Sequence, residues 1–207
     1  MSELFELPFS LLDEAEQNVL PDPDVVSLYV LEHDRKVYLD YEVSPDIMAI
    51  QRMILRWNME DVGVPTGERK PIIIYIMSYG GDMDYMWALI NAIEASETPV
   101  YTVNVRTAAS AAALIFMAGH KRFMFPRARV IIHEGSASMA GDSTKVLDAS
   151  ESYKKAIKQM KQYIMTKTQI PPSTLNKKRN NDWELDTDTC LKYGVCHQIV
   201  HVLSEVI

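Results

Sequence analysis

The chain has 207 residues, of which 47% are hydrophobic and 24% are charged, a composition typical of one folded globular domain. Its formal net charge of -7 at pH 7 argues against a broad surface for nucleic acid or for anionic membranes. The two cysteines, Cys190 and Cys196, are too few for a disulfide framework, which favours a reducing, cytoplasmic setting.

The first 24 residues end in "LPDPD", and their prolines and acids predict an amino-terminal arm ahead of a domain at 25–207. The acidic start does not suit a signal peptide, and no later apolar run approaches the roughly 20 residues that span a bilayer. "VVSLYVL" (25–31) and "KVYLDY" (36–41) are β-branched and aromatic and predict a pair of strands. Ser44 and Pro45 then predict the start of a helix.

Buried strands and helices alternate through the middle of the chain. The strands are predicted at 72–77, 100–105 and 129–133, and the helices near 83–95 and over "ASAAALIFMAG". The polar turn "NNDWELD" leads into a short helix ending at Gly194 and a last strand, "HQIVHV". This alternation predicts an α/β fold with right-handed crossovers around a parallel sheet.

One long amphipathic helix is predicted between Gly141 and Thr168. Its apolar residues recur at spacings of three and four: Val146, Ala149, Tyr153, Ile157, Met160 and Ile164. A helix of this length projects from a compact domain, so we expect its apolar face to contact a partner.

Three features that can support chemistry follow predicted parallel strands, where open α/β folds gather reactive groups. They are the pair Gly80 and Gly81, then Ser110, then His133. Each also has an ordinary structural explanation, as a turn glycine, a helix cap or a structural histidine. Their common placement favours chemistry: a backbone N–H for an oxyanion, a hydroxyl at a helix N-terminus, and a base.

An aspartate that meets the Nδ1 side of His133 would hold its ring, so that Nε2 can take a proton from Ser110. Asp182, in "NNDWEL", is the candidate for this role, although such a residue is ordinarily a turn residue or a solvated acid.

The motifs "SYGG", "AAS", "PRARVIIH", "DWEL" and "KYG" occur in this order and resemble those of the Clp protease proteolytic-subunit family, over residues 35–200. That family carries S-P-G-G, A-A-S, P-N-A-R-x-M-I-H and a late aspartate before E-Y-G-L. The resemblance implies Ser110 as nucleophile, His133 as general base and Asp182 as orienting acid, with oxyanion N–H groups from Gly81 and Ala111. Asp186 and Asp188 lie nearby, but Asp182 keeps its distance to "KYG" without a gap.

The resemblance also implies a fold and an assembly. The fold is a ClpP/crotonase-like superhelix of βα units, and residues 135–168 form a handle between stacked rings of a homo-oligomer. The substrate that the resemblance implies is unfolded or extended polypeptide. An AAA+ ATPase unfoldase is the implied partner, although the amino-terminal arm does not match the segment that contacts it in the family.

Several positions depart from the family pattern. Arg106 and Ala112 replace glycines, and Asn181 replaces the arginine of an arginine–aspartate pair. The pattern is similar to that of divergent, phage-associated members.

Two other functions stay open from the sequence. One is a catalytically silent ring or scaffold component that keeps the fold and the handle. The other is a crotonase-type acyl-CoA enzyme, a class that does not call for Ser, His and Asp at these places. We expect no cofactor and no metal, because His120, His197 and His201 lack metal-ligand spacing.

Overall fold

A seven-stranded sheet runs through the residues that the computed structural model describes, which are 22–135, 141–178 and 182–206. The strands are β1 (Lys36–Leu39), β2 (Ile72–Ser78), β3 (Val100–Ala109), β4 (Lys121–Met124), β5 (Arg129–Ile132), β6 (Trp183–Leu185) and β7 (Gln198–Ile199). The order β1-β2-β3-β4-β7 is parallel throughout. This topology confirms the predicted α/β class.

The long strand β3 divides the sheet. Its first half pairs with β4, and its second half, from Thr107 to Ala109, pairs with β5, also in parallel. β6 then pairs with β5 in the antiparallel direction. The sequence indicates only a turn at "NNDWELD" and misses β6, because three residues are too few to show a strand period.

The described helices are α1 (Pro23–His33), α2 (Met48–Glu60), α3 (Met83–Ala95), α4 (Ala111–Ala118), α5 (Ser143–Lys167), α6 (Pro172–Lys178) and α7 (Thr187–Lys192). Ser44 and Pro45 begin a 3₁₀ turn, Pro45–Ile47, that leads directly into α2. Gly119 follows the last residue of α4, as predicted. Of the predicted strand "HQIVHV", only Gln198–Ile199 pairs with the sheet.

The predicted strand at 25–31 is wrong, because these residues form helix α1. The Asp22 side chain accepts a hydrogen bond from the Asp24 N–H, and Pro23 occupies the first helical position, where its fixed φ suits a helix. α1 has no fully buried residue, so its β-branched side chains do not gain the packing that favours a strand. The predicted arm at 1–24 lies almost wholly outside the described residues, and its boundary stays a prediction.

The core lies on both faces of the sheet. On one face, α2, α3 and α4 pack over the buried side chains Ile72, Ile74 and Ile76 of β2. Ile73 and Tyr75 point the other way, into a smaller cluster with Val103 and Phe123. All eight residues of α4 are buried, so the helix that follows Ser110 is held at the centre of the molecule.

Candidate active site

Ser110 sits on a sharp turn between β3 and α4. Its φ of 53° and ψ of -123° lie in a region that non-glycine residues rarely adopt, at a cost of about 1–3 kcal/mol. The turn is fixed on both sides: the Ser110 N–H donates to the Ile131 carbonyl at 2.9 Å, and α4 is wholly buried. This strained turn presents the half-buried side chain to a cleft of about 730 Å³.

Gly80 packs directly against that turn. Its φ is +100°, and a Cβ on it would lie 2.7 Å from the Ala109 oxygen and 2.8 Å from the Ser110 Cβ. The Ser78 hydroxyl supports this loop, because it donates to the Tyr41 carbonyl at 2.5 Å and accepts from the Gly80 N–H at 3.2 Å. Only glycine satisfies both the backbone angle and the close approach at position 80.

The two predicted oxyanion donors line the same cleft as Ser110. Gly81 bridges Val43, but the two hydrogen bonds of this bridge run from Val43 N to Gly80 O and from Asp82 N to Val43 O. The pairing therefore bypasses the Gly81 N–H. Ala111 is the first residue of α4, where N–H groups have no partner within the helix and the helix dipole favours negative charge.

His133 follows β5 and also lines the cleft. Its Nδ1 accepts a hydrogen bond from the Gly135 N–H at 3.2 Å, whereas Asp182 Oδ1 lies 3.8 Å away, beyond hydrogen-bond distance. A ring nitrogen that accepts a hydrogen bond carries no proton, so a neutral His133 holds its proton on Nε2. A general base for Ser110 needs the opposite tautomer, with Nε2 free.

The pairing of β5 with β6 brings Asp182 to His133. Ile132 pairs with Trp183 in an antiparallel register. His133, which follows Ile132, therefore lies next to Asp182, which precedes Trp183. Asp186 instead caps α7, where its side chain accepts from the Thr189 N–H at 2.8 Å. Hydrogen bonding from the Thr189 side chain, and then from its N–H, lowers the pKa of Asp186. Of the three nearby aspartates, Asp182 is the one that the structure places beside the histidine. Asn181 lies outside the described residues.

Helix α5 holds the segment that follows His133. The Tyr153 hydroxyl donates to the Glu134 carbonyl at 2.8 Å, and Lys161 forms an ion pair with the Glu134 side chain at 2.5 Å. Burial raises the pKa of Tyr153, which keeps its hydroxyl protonated as a donor. The sequence indicates Tyr153 only as one apolar position of a long helix, so this contact is missed.

Arg106, a departure from the family pattern, does not line the cleft. Its guanidinium donates to the Arg127 carbonyl, in the turn between β4 and β5.

Two histidines outside the cleft have structural partners. His120 Nδ1 accepts from the Val100 N–H at 2.9 Å, and His197 Nδ1 accepts from the Arg122 N–H at 3.1 Å. Within the described ranges, no three His, Cys, Asp or Glu side chains are grouped as metal ligands require. A search of the same ranges for a helix of sufficient length and apolarity to cross a membrane finds none.

Comparisons with known proteins all match the chain to Clp proteases. A model of the Clp protease family matches residues 29–202. The ATP-dependent Clp protease proteolytic subunit 2 of Borreliella burgdorferi is 32% identical over 183 residues, which cover 87% of this chain and 89% of that protein. The proteins of the same name from Treponema pallidum and Treponema denticola are 29% and 28% identical, over 83% and 94% of this chain and 85% and 95% of their own lengths.

Proposed function

The chain belongs to the Clp protease family, and this membership supports a role as a serine protease. We propose that the chain is a serine endopeptidase that cleaves unfolded or extended polypeptides. The observation that carries the proposal is the strained turn at Ser110, which opens into the same cleft as His133, Gly81 and Ala111.

The proposed reaction proceeds through an acyl-enzyme. Ser110 Oγ attacks the substrate carbonyl while His133 Nε2 takes its proton, and the peptide C–N bond breaks as His133 returns that proton to the leaving amine. A water molecule then attacks the acyl ester by the same route and regenerates Ser110. The N–H groups of Gly81 and Ala111 hold the oxyanion in both steps, each contributing about 3–4 kcal/mol.

Catalysis by this route requires His133 to change its Nδ1 partner. The proton must move to Nδ1, the Gly135 N–H must withdraw, and Asp182 must approach from 3.8 Å to about 2.8 Å. Asp182 is 79% exposed, so little packing opposes this movement.

The same geometry favours one second candidate, a catalytically silent ring component. If the Gly135 N–H stays on His133 Nδ1 in the assembled protein, the histidine cannot act as a base and Ser110 is not activated. Crotonase-type catalysis does not require a serine beside a histidine and an aspartate, and we do not propose that function.

We also propose that the active form is a homo-oligomer of stacked rings. Helix α5 has 25 residues, about 37 Å, yet its only buried residues are Met160 and Ile164, near its C-terminal end. The exposed first half suits the handle that family members interdigitate between rings. The matched relatives are named ATP-dependent subunits, so an ATPase unfoldase is the proposed partner.

Cleavage of an unfolded polypeptide, followed by light scattering for size, tests the proposal. The expected result is degradation by a large assembly and its loss in Ser110→Ala, with the assembly retained. Degradation that persists in Ser110→Ala would rule out the nucleophile. A correctly assembled wild type that cleaves nothing would favour the silent component.

A further inference from the structure

The charged side chains that line the cleft around Ser110 are acidic. Among the described residues, four carboxylates and no lysine or arginine line it: the acids are Asp40, Glu42, Asp82 and Glu134. Two of these carboxylates have partners within the chain. Asp82 caps α3 by accepting from the Asp84 N–H at 2.7 Å, and Glu134 pairs with Lys161.

The other two carboxylates, Asp40 and Glu42, face solvent. Both residues are exposed, and neither forms an ion pair within the described part of the chain. Burial raises the pKa of the neighbouring Tyr41, and the charges of Asp40 and Asp46 raise it further. This rim of the cleft is therefore negative and has no internal counter-charge among the described residues.

Glu42 lies beside the proposed oxyanion donor. A Cβ on Gly81 would lie 3.0 Å from Glu42 Cγ, so the Glu42 side chain runs alongside the Gly81 backbone. A carboxylate at this place opposes the negative charge of a tetrahedral intermediate. A cation carried by the substrate would offset that repulsion, in the ground state and more strongly in the transition state.

Aromatic side chains complete the rim. Tyr41 and Tyr79 also line the cleft, with 37% and 72% of their surfaces exposed. The face of a tyrosine ring attracts an ammonium or guanidinium group, and the stems of Lys and Arg pack against such rings.

Resting on the proposed peptidase function, we infer that the cleft selects polypeptide segments with a lysine or arginine next to the scissile bond, and that Glu42 is the main specificity-determining residue. The cation would lie between the Glu42 carboxylate and the tyrosines at the rim. Because the benefit grows as the oxyanion forms, the preference belongs to kcat as well as to KM.

Quenched fluorescent peptides that differ only by Lys, Gln or Glu at each of three positions on either side of the scissile bond test this inference. Two unit charges 4 Å apart change an equilibrium or rate about fivefold in water, so replacing an attracted Lys by a repelled Glu predicts about a 25-fold Lys-to-Glu ratio of kcat/KM for at least one position. The ratio should fall by about fivefold or more in Glu42→Gln, because the variant loses the charge interaction with both peptides. It should also fall in wild type as salt is raised.

Glu97→Gln is the matched control. Glu97 is 77% exposed, pairs with Arg69 and precedes β3 at the end opposite Ser110, so its loss should leave the ratio unchanged. Equal cleavage of the three peptides at every position, or an unchanged ratio in Glu42→Gln, would overturn the inference while the peptidase function stands. If no peptide is cleaved and a fluorophosphonate leaves Ser110 unlabelled, the peptidase function fails and this inference fails with it.

Discussion

At the scale of single residues, the site depends on which aspartate meets His133. The sequence offers Asp182, Asp186 and Asp188 within seven residues, and spacing alone only favours the first. The β5–β6 register decides the matter in space, because it places Asp182 beside the histidine and leaves Asp186 to cap α7. A three-residue strand carries too little pattern for this register to be predicted from sequence.

Asp182→Asn should lower kcat by about 10³- to 10⁴-fold, because an amide favours the wrong histidine tautomer while leaving the geometry intact. Steady-state cleavage of a quenched peptide measures this. Asp186→Asn is the control, since asparagine caps a helix as well as aspartate does, and its kcat should stay within about twofold. A large loss in Asp186→Asn with a small one in Asp182→Asn would reverse the assignment.

Gly80→Ala should abolish activity and lower the free energy of unfolding by about 3 kcal/mol. The methyl group would collide with the Ala109 oxygen and the Ser110 Cβ, and alanine is strained at a φ of +100°. Denaturant unfolding and fluorophosphonate labelling measure the two effects. Gly67→Ala is the matched control and should be neutral, because a methyl group at position 67 would meet no atom within 4 Å. Wild-type labelling in Gly80→Ala would contradict the packing of the turn.

At the scale of elements, period and length predict the parts that have strong signals. The continuous apolar run of β2, the alanine-rich α4 and the long α5 all lie where the sequence places them. Helix α1 is mistaken for a strand, because its capping by Asp22 and Pro23 outweighs its β-branched composition when none of its residues is fully buried. The sequence predicts candidate site residues but not their geometry: no sequence signal indicates that the Gly135 N–H donates to His133 Nδ1.

A buried ion pair joins several of these elements. Arg35, in the turn between α1 and β1, donates to both Asp61 carboxylate oxygens, at 2.6 and 2.8 Å, and Asp61 also accepts from Thr98. Asp61 follows α2, and Thr98 precedes β3. The hydrogen bond from Arg35 lowers the pKa of Asp61, and the side chains of Arg35 and Asp61 are only 11% and 8% exposed.

Asp61→Asn should lower the free energy of unfolding by about 3 kcal/mol at pH 7, because it removes the nearest and, among the described residues, the only buried counter-charge of a largely buried guanidinium. The folded-state pKa of Asp61 is lowered, so this stability is fully present above the ordinary pKa near 4 and is lost as pH falls through the folded value. The difference between wild type and variant should therefore shrink below about pH 4. Urea titrations at several pH values measure it.

Glu60→Gln is the matched control for that series. Glu60 also pairs with Arg35, at 3.6 Å, but it is 50% exposed, so its loss should cost less than about 0.5 kcal/mol. A pH-independent difference for Asp61→Asn, or an equal cost for Glu60→Gln, would contradict the role of the buried pair.

At the scale of the whole molecule, the first half of α5 is an exposed surface that contains no buried residue. Leu147 is 67% exposed there, and Val146 is half-buried. The same helix holds Glu134 through Tyr153 and Lys161. A partner that shifts α5 would therefore shift the segment carrying Gly135, which connects the proposed assembly to the tautomer of His133.

Leu147→Asp should leave the thermal stability of the single chain unchanged, since the side chain is exposed, while it splits stacked rings and lowers peptidase activity. Sedimentation velocity and peptide cleavage measure the two effects, and Leu147→Met should preserve both. Unchanged assembly in Leu147→Asp would contradict the use of this helix between rings.

The central claim is that Ser110 is the nucleophile of a working serine peptidase. Its most direct test is to treat the assembled wild-type protein with a fluorophosphonate and to find the modified residue by peptide mass spectrometry. The predicted result is one phosphonylated peptide, with the adduct on Ser110, and none in Ser110→Ala. An adduct on any other residue, or an unmodified Ser110 in a correctly assembled protein, would contradict the claim.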